Sequence, residues 1–483
     1  MKASLFVLAL SAGYLSCATL SAAPSDVKVS SDVIPGRGTL SRPGNGEPVC
    51  GLGREFHSGR RATLRAAVEE GWMFFRGFAK ERDAAPFRQD KQFWYLTGIE
   101  SPEAALLMNA GTGQEILFLP KPSARAEVWE GELWDSGDEW VRELTGISDV
   151  RPSQDMVETL KELVGKGETM WTSSHPLLGM RGTSDYAAKH DRVQAADELD
   201  GRANAAANLS RKLEELLEVE IRDCRPALLE MRWAKTPEEI AAMERAAYAG
   251  ALSMTEAMRS TRPGLGEWEV EALMTWMHKN EGADGPAYNA IVGSGGNSCV
   301  LHYSASNRRM RDGEVLLIDY GCEVDHFTTD ITRTWPVNGK FSERAAELYD
   351  AVLAAQLAAM EVVKPGATMR QVDAAARTYL TERGYGDLML HGTCHWIGME
   401  VHDPGPTIGD VRSSDLPLVP GCAFTVEPGL YEPSTGIGIR IEDVVVVTED
   451  GYRVITADVP KARAEVEAMV QSEGILDLLQ SRK

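Results

Sequence analysis

Ala423-Phe-Thr-Val-Glu427-Pro-Gly-Leu-Tyr-Glu-Pro433-Ser-Thr-Gly436-Ile-Gly-Ile-Arg440-Ile-Glu442-Asp-Val-Val-Val-Val447 is apolar and β-branched apart from one cluster of turn formers and a few charged residues. Two strands joined through Pro433-Ser-Thr-Gly436 are expected, because these residues favour turn geometry. Opposing Glu427 to Glu442 makes paired residue numbers sum to 869 and centres the turn between Ser434 and Thr435. Directly opposed residues place their Cβ atoms about 5 Å apart on one face of the sheet. Arg440, two residues before Glu442, shares that face and can hold a carboxylate in place.

A second apolar pair of segments carries a matching pair of acids: Val315-Leu-Leu-Ile-Asp319 and Phe327-Thr-Thr-Asp330-Ile-Thr-Arg-Thr. Opposing Asp319 to Asp330 gives a sum of 649 and a turn between Val324 and Asp325, after Gly321. An unpaired charge on a buried strand costs about 1–5 kcal/mol, so two matched acidic hairpins call for a cation between the carboxylates. Four carboxylates make a hard, oxygen-rich site that suits Mn²⁺, Co²⁺ or a related ion in a two-metal arrangement rather than a structural zinc.

Three of the nine histidines fall in Leu390-His391-Gly-Thr-Cys-His395-Trp-Ile-Gly-Met-Glu-Val-His402-Asp. His391 and His395 have the spacing of a helical zinc site, but Gly392 and Gly398 disfavour a regular helix, and no Glu follows His391. His302 follows a glycine-rich stretch, Val292-Gly-Ser-Gly-Gly-Asn, which lacks the Lys of a phosphate-binding loop and more plausibly gives backbone access to a pocket.

A chain of 483 residues, 43% hydrophobic, is expected to form two domains. Its formal charge of -22 disfavours nucleic acid or an anionic membrane as partner. Residues 1–22, with Lys2, an apolar run from Ala3 to Leu15 and small residues after it, have the layout of a secretory signal peptide, which implies a periplasmic or secreted protein. Residues 23–60 are rich in Gly, Ser and Pro and read as a leader. An α/β amino-terminal domain is assigned to residues 61–225, with helices at Arg61 to Arg76 and Asp155 to Val164. Its buried strands are expected at Phe93-Trp-Tyr-Leu-Thr-Gly, Ala104-Ala-Leu-Leu-Met and Glu115-Ile-Leu-Phe-Leu. A helical connector runs from Asp185 to Glu220 and is broken by Pro226; Thr236-Pro-Glu-Glu caps the next helix. Residues 226–483 mix helices and antiparallel strands as α+β, closing with one amphipathic helix from Lys461 to Leu479. The cysteines after Cys17 show no CxxC spacing and read either as disulfides of an exported protein or as buried free thiols.

Six motifs, in order, resemble the proline-specific branch of the pita-bread metallopeptidases, aminopeptidase P and the related prolidases. They are Phe87-Arg-Gln-Asp-Lys-Gln-Phe-Trp-Tyr-Leu-Thr-Gly, Ile291-Val-Gly-Ser-Gly, Leu317-Ile-Asp-Tyr-Gly-Cys, Asp330-Ile-Thr-Arg-Thr-Trp-Pro-Val-Asn-Gly-Lys-Phe, Val426-Glu-Pro-Gly-Leu-Tyr and Gly438-Ile-Arg-Ile-Glu-Asp. The resemblance implies a pita-bread catalytic domain and a metal-ligand set of Asp319, Asp330, His395, Glu427 and Glu442, with Asp330 and Glu442 bridging two divalent ions. Mn²⁺ is the ion expected first, with Co²⁺ and Zn²⁺ as alternatives. It implies that His302, His391 and His402 surround the scissile bond, with Arg440 and Tyr431 nearby. The implied reaction removes an amino-terminal residue from peptides with proline second, through a hydroxide bridging the ions. In it Glu427 carries the proton and His402 or His391 stabilises the oxyanion. No stable membrane association is expected, and a homo-dimer or homo-tetramer is. Trp94 and Tyr95 read as core aromatics, with a reach into a neighbouring active site as the other reading. The alternatives are a dipeptidase restricted to Xaa-Pro, which needs a cation for the free prolyl carboxylate, and a pita-bread binding protein without catalysis.

Overall fold

In the amino-terminal part, strands β1 (Trp72–Arg76), β2 (Ala105–Asn109) and β3 (Glu115–Leu119) are almost continuously apolar, as strands covered on both faces must be. The computed structural model describes residues 50–80, 87–121, 123, 125, 128–129 and 134–480. The signal-peptide reading of residues 1–22, and the leader up to residue 49, lie outside the described residues.

β1–β3 are joined by β4 (Asp149–Pro152), β5 (Thr169–Thr172) and β6 (Glu220–Asp223) in a mixed sheet of order β4-β3-β2-β1-β5-β6. β5 and β6 extend it in parallel beside β1. Alternate residues feed two cores. Met73, Phe75, Leu106 and Leu117 pack with helices α1 (Arg54–Val68) and α2 (Lys91–Thr97). Phe74, Leu107 and Phe118 face α4 (Met156–Leu163) and α6 (Ala205–Leu217) on the other side. Helices α3 (Trp140–Thr145), α5 (Ser184–Ala196) and α7 (Arg225–Trp233) complete this part.

Several local expectations change. Helix α1 begins at Arg54, inside the stretch read as leader, and ends at Val68, so Trp72–Arg76 is strand rather than helix. Phe93-Trp-Tyr-Leu-Thr is helix α2, not strand: the Asp90 side chain accepts from Phe93 N, and Gly98 closes the helix in the left-handed region. A short apolar run does not declare its own period, and here the caps decide it. The connector is two helices, α5 and α6, followed by β6, and Pro226 opens α7 from its first turn instead of breaking a helix. Trp94 and Tyr95 are buried within the chain, Trp94 stacked on His326 with centroids 4.3 Å apart, in agreement with the core reading.

The carboxyl-terminal part sets helices α8 (Pro237–Ser260), α9 (Glu267–Asn280), α10 (Glu343–Met360) and α11 (Met369–Thr381) against several small sheets. Helix α8 starts with the expected capping box, Glu239 accepting from Thr236 N at 2.8 Å. The tail is two helices, α12 (Arg463–Gln471) and α13 (Ile475–Gln480), separated at Ser472–Gly474.

The glutamate hairpin has the expected register. β13 (Ala423–Val426) pairs with β16 (Asp443–Val447), and β14 (Gly429–Glu432) pairs with β15 (Ile437–Arg440), every pair summing to 869. The ladder opens at Glu427 and Glu442: Pro428 has no N–H to give, and Glu442 N instead donates to Thr332 O of the other hairpin at 3.0 Å.

The aspartate hairpin differs by two residues. β9 (Val315–Asp319) pairs with β12 (Thr332–Pro336), placing Asp319 opposite Thr332, and β10 (Cys322–Val324) pairs with β11 (Phe327–Thr328), so pairs sum to 651. β9 is also flanked by β8 (Ile291–Ser294), β10 by β7 (Gly285–Pro286), and β16 by β17 (Tyr452–Val454). The turn is Asp325-His326, both at positive φ (49° and 62°), as a two-residue hairpin turn requires. Asp330 is therefore diagonal to Asp319; a shift of two preserves the face, so the acids still meet. At Gly321 a side chain would collide with Thr329 O, 1.8 Å from the position a Cβ would take.

The tip of this hairpin is gripped by the amino-terminal domain. Buried Glu323 accepts from Lys91 at 2.9 Å and from Arg88 at 3.1 Å, while Arg88 also binds Glu100 and Asp284. Burial opposes ionisation of Glu323, but Lys91 and Arg88 hold its carboxyl down to about 2. Glu323→Leu leaves buried Lys91 without its carboxylate and Arg88 with two of its three, and should cost about 3–5 kcal/mol, read as a lowered thermal midpoint relative to the parent protein.

Candidate metal centre

The two hairpins are stitched together where their acids lie. Thr332 Oγ1 donates to Glu442 Oε2 at 2.7 Å, Thr334 Oγ1 donates to Arg440 O at 3.1 Å, and Arg333 reaches Asp443 at 2.7 Å. Gln356 of α10 bonds Val426 O and Ile441 O from behind. The result is a cavity of about 690 Å³ whose wall includes Asp319, Asp330, His395, Glu427 and Glu442.

One ligand-capable atom each from Asp330, His395 and Glu442 lies within 4.8 Å of the others. His395 Nε2 is 3.5 Å from Asp330 Oδ2, 3.4 Å from Glu427 Oε1 and 3.8 Å from Glu442 Oε1. His395 is not on a helix; its backbone pairs with Thr425 beside β13, which removes the helical zinc reading and separates it from His391.

The site is over-supplied with negative charge. Burial, then the charge of Asp330, raises Asp319 above the usual carboxylate range. Burial, then Asp330, Glu427 and Asp319, raises Glu442 well above it. Burial pulls His395 down, yet its bond to Asp330 and the charge of Glu427 lift it to about 9. Buried Glu442 Oε1 has no hydrogen-bond partner. A divalent cation fits this donor set, because it would neutralise the acids and satisfy that orphaned oxygen.

Among the other expected site residues, His302, His391, His402 and Arg440 all line the cavity. Arg440 donates to Asp319 Oδ2 at 2.6 Å and to Tyr431 Oη at 2.8 Å. Tyr431, expected to touch substrate, is buried behind the wall, where its hydroxyl meets His391 Nε2 at 2.7 Å. His391 Nδ1 is engaged by Gly392 O at 2.7 Å.

Three side chains escaped the sequence reading. The Tyr288 hydroxyl contacts both Asp319, at 2.6 Å, and Asp330. Asp185 and Tyr186, in the first turn of α5, bond His402 Nδ1 at 3.1 Å and His302 Nδ1 at 3.0 Å. Burial opposes its ionisation, but the bond to His402 holds Asp185 below the usual carboxylate range. Nothing local marks these residues; only the tertiary fold brings them to the cavity.

The loop bearing His402 is also held from outside. Arg232 binds Glu400 at 2.9 Å and also Asp403, Lys235 binds Asp403 at 3.2 Å, and His175 meets Glu400 at 3.0 Å. The six cysteines from Cys50 onward are free, in line with the buried-thiol reading for Cys50, Cys224, Cys322 and Cys422; Cys299 and Cys394 are half-buried.

Known proteins share this arrangement of domains. Residues 57–171 match the family described as Aminopeptidase P, N-terminal domain, and residues 241–449 match Metallopeptidase family M24. The sequence is 34% identical over 452 residues to the Xaa-Pro aminopeptidase of Haemophilus influenzae, spanning 87% of this chain and 98% of that protein. The chain belongs to the aminopeptidase P family. It is also similar to the structure of aminopeptidase P from E. coli with the inhibitor Pro-Leu, with a TM-score of 0.73 at 31% identity over 86% of this chain and 98% of that one. The Xaa-Pro dipeptidase of Pyrococcus furiosus is 38% identical, but over only 47% of this chain and 64% of that protein. The aminopeptidase P relationship therefore takes in the amino-terminal domain and the carboxylate hairpins together.

Tyr288→Phe removes the hydroxyl that orients two of the acids. It should weaken binding of Mn²⁺ to metal-stripped protein by about 10–100-fold, as measured by titration calorimetry.

Proposed function

We propose that the protein removes the amino-terminal residue from peptides whose second residue is proline, using two divalent ions that Asp319, Asp330, His395, Glu427 and Glu442 would hold. The observation that carries this reading is the convergence of the acids on His395, with Glu442 Oε1 buried and unpartnered beside it. Mn²⁺ is the proposed ion, on the hardness of an oxygen-rich donor set.

An Xaa-Pro bond is a tertiary amide, so its nitrogen offers no hydrogen for backbone recognition, and the ring fixes its geometry. Ions bound at these residues would lower the pKa of a shared water and polarise the scissile carbonyl. Glu427, on the cavity wall, takes the proton from the attacking water and returns it to the departing proline nitrogen. Arg440 keeps Asp319 in place, and the Tyr288 hydroxyl spaces Asp319 and Asp330.

His402 is the better candidate to stabilise the oxyanion. Both nitrogens of His391 are engaged, whereas Asp185 engages only Nδ1 of His402 and leaves Nε2 open to a substrate oxygen. His302 has a comparable arrangement, with Tyr186 at its Nδ1. His402→Ala should lower kcat about 100-fold or more while both ions remain bound by elemental analysis; unchanged turnover with both ions retained removes the role.

A strict dipeptidase needs a cation for the prolyl carboxylate. Of the two arginines lining the cavity, Arg440 is committed to Asp319 and Tyr431, which leaves Arg181, an exposed side chain bonded to Asn289 at 3.4 Å. The deciding assay compares an Xaa-Pro-Yaa tripeptide with an Xaa-Pro dipeptide, each before and after Mn²⁺ is returned to metal-stripped enzyme. Metal-restored cleavage of the tripeptide is expected. Cleavage of the dipeptide alone makes the enzyme a prolidase, and cleavage of neither overturns the peptidase reading.

Export to the periplasm or medium rests on residues 1–22, and a dimer or tetramer rests on the family relationship. Among the described residues no helix is long and apolar enough to cross a membrane. We place the domain division between α7 and α8, after Trp233 rather than at residue 225, and carry the amino-terminal domain back to Arg54, where α1 begins, rather than to residue 61.

A further inference from the structure

A second cavity, of about 310 Å³, opens on the amino-terminal domain. It lies at the carboxyl ends of the parallel neighbours β1 and β5, beside the first turn of α6. Open α/β sheets lodge ligands at the carboxyl ends of their strands, and a helix amino terminus there directs free N–H groups at an anion.

Gln92 is only 4% exposed, and its Nε2 has no hydrogen-bond partner. Ser173 Oγ accepts from His175 N at 3.2 Å and donates to Gln92 Oε1 at 2.8 Å, an arrangement that leaves the amide nitrogen as donor. Such a buried donor without an acceptor costs stability unless something occupies the cavity.

The remaining lining divides cleanly by chemistry. Phe75, Phe78, Leu177 and Leu209 form apolar walls, while Arg76 and Lys212 stand exposed at the rim. One acid, Asp90, also lines the cavity, but its two oxygens already accept from Leu178 N at 2.7 Å and Phe93 N at 2.9 Å. The buried Gln92 amide, the rim cations and the apolar walls together describe a ligand with a carboxylate at one end and a hydrophobic group at the other.

We propose that this crevice is a binding site for a small apolar carboxylate, separate from the cavity that holds the acidic hairpins. The carboxylate takes the Gln92 amide and the first turn of α6, and the apolar group lies against Phe75, Phe78, Leu177 and Leu209.

The test is titration calorimetry of the full-length protein with sodium phenylacetate, and with neutral phenylacetamide for comparison. Phenylacetate should bind saturably, and phenylacetamide about tenfold more weakly, because a hydrogen bond to a charged acceptor is the stronger one. Gln92→Leu should weaken phenylacetate about tenfold for the same reason. Lys212→Glu, on an exposed helix face where folding is not at risk, should weaken phenylacetate several-fold and leave phenylacetamide unchanged. If Gln92→Leu fails to fold, Lys212→Glu and the comparison of the two probes decide. Absence of saturable binding overturns the site and leaves a water-filled crevice. Equal affinity for both probes overturns the carboxylate, and phenylacetate binding indifferent to both substitutions places it elsewhere on the molecule.

Discussion

Mutual repulsion among Asp319, Asp330, Glu427 and Glu442 is the constraint around which the carboxyl-terminal half is built. Carboxylates brought together away from bulk water cannot all ionise unless the protein supplies compensation. Arg440 is that compensation on one side, buried and bonded to Asp319, and the Tyr288 hydroxyl shields Asp319 from Asp330. Arg333 performs a related task one layer out, fastening β12 to Asp443 and so holding the two hairpins at fixed separation. What is left over is the buried Glu442 oxygen without a hydrogen-bond partner, an acceptor that a cation would satisfy.

Holding such a centre in shape requires support from outside it. The loop from His391 to Asp403 is held along β13 by backbone bonds at Thr393, His395 and Ile397, and at its far end by Glu400 and Asp403 bonded to Arg232, Lys235 and His175. Asp185 and Tyr186 do the same for His402 and His302 from α5, a helix with only Ser184 buried. The amino-terminal domain and its connector thus build part of the cavity's mouth.

The legible parts of the site were those whose geometry is written in local chemistry. Pro433-Ser-Thr-Gly436 is a turn by composition, so the register that sets Glu427 against Glu442 followed from the residues alone. Asp325-His326 carries no such mark: a histidine at positive φ is sustained by Trp94 and Glu100 from another domain, and the expected register was two residues out. Phe93-Trp-Tyr-Leu misled for a related reason, since its helix depends on Asp90 before it and Gly98 after it. The choice of His395 over His391 came from family resemblance and not from spacing, and Tyr288, Asp185 and Tyr186 enter the site only through tertiary folding.

The hairpin turn at Asp325-His326 has a consequence for descent. One end of the aspartate hairpin bears Asp319 and Asp330, and the other is seated among Arg88, Lys91, Trp94 and Glu100. A change of charge at position 323 is tolerable only with an answering change at 88 or 91, and a change at 326 only with one at 94 or 100. The two halves of the chain are therefore coupled partners in substitution, and a lineage that exchanged its amino-terminal half for an unrelated one would have to rewrite the hairpin that carries its aspartates.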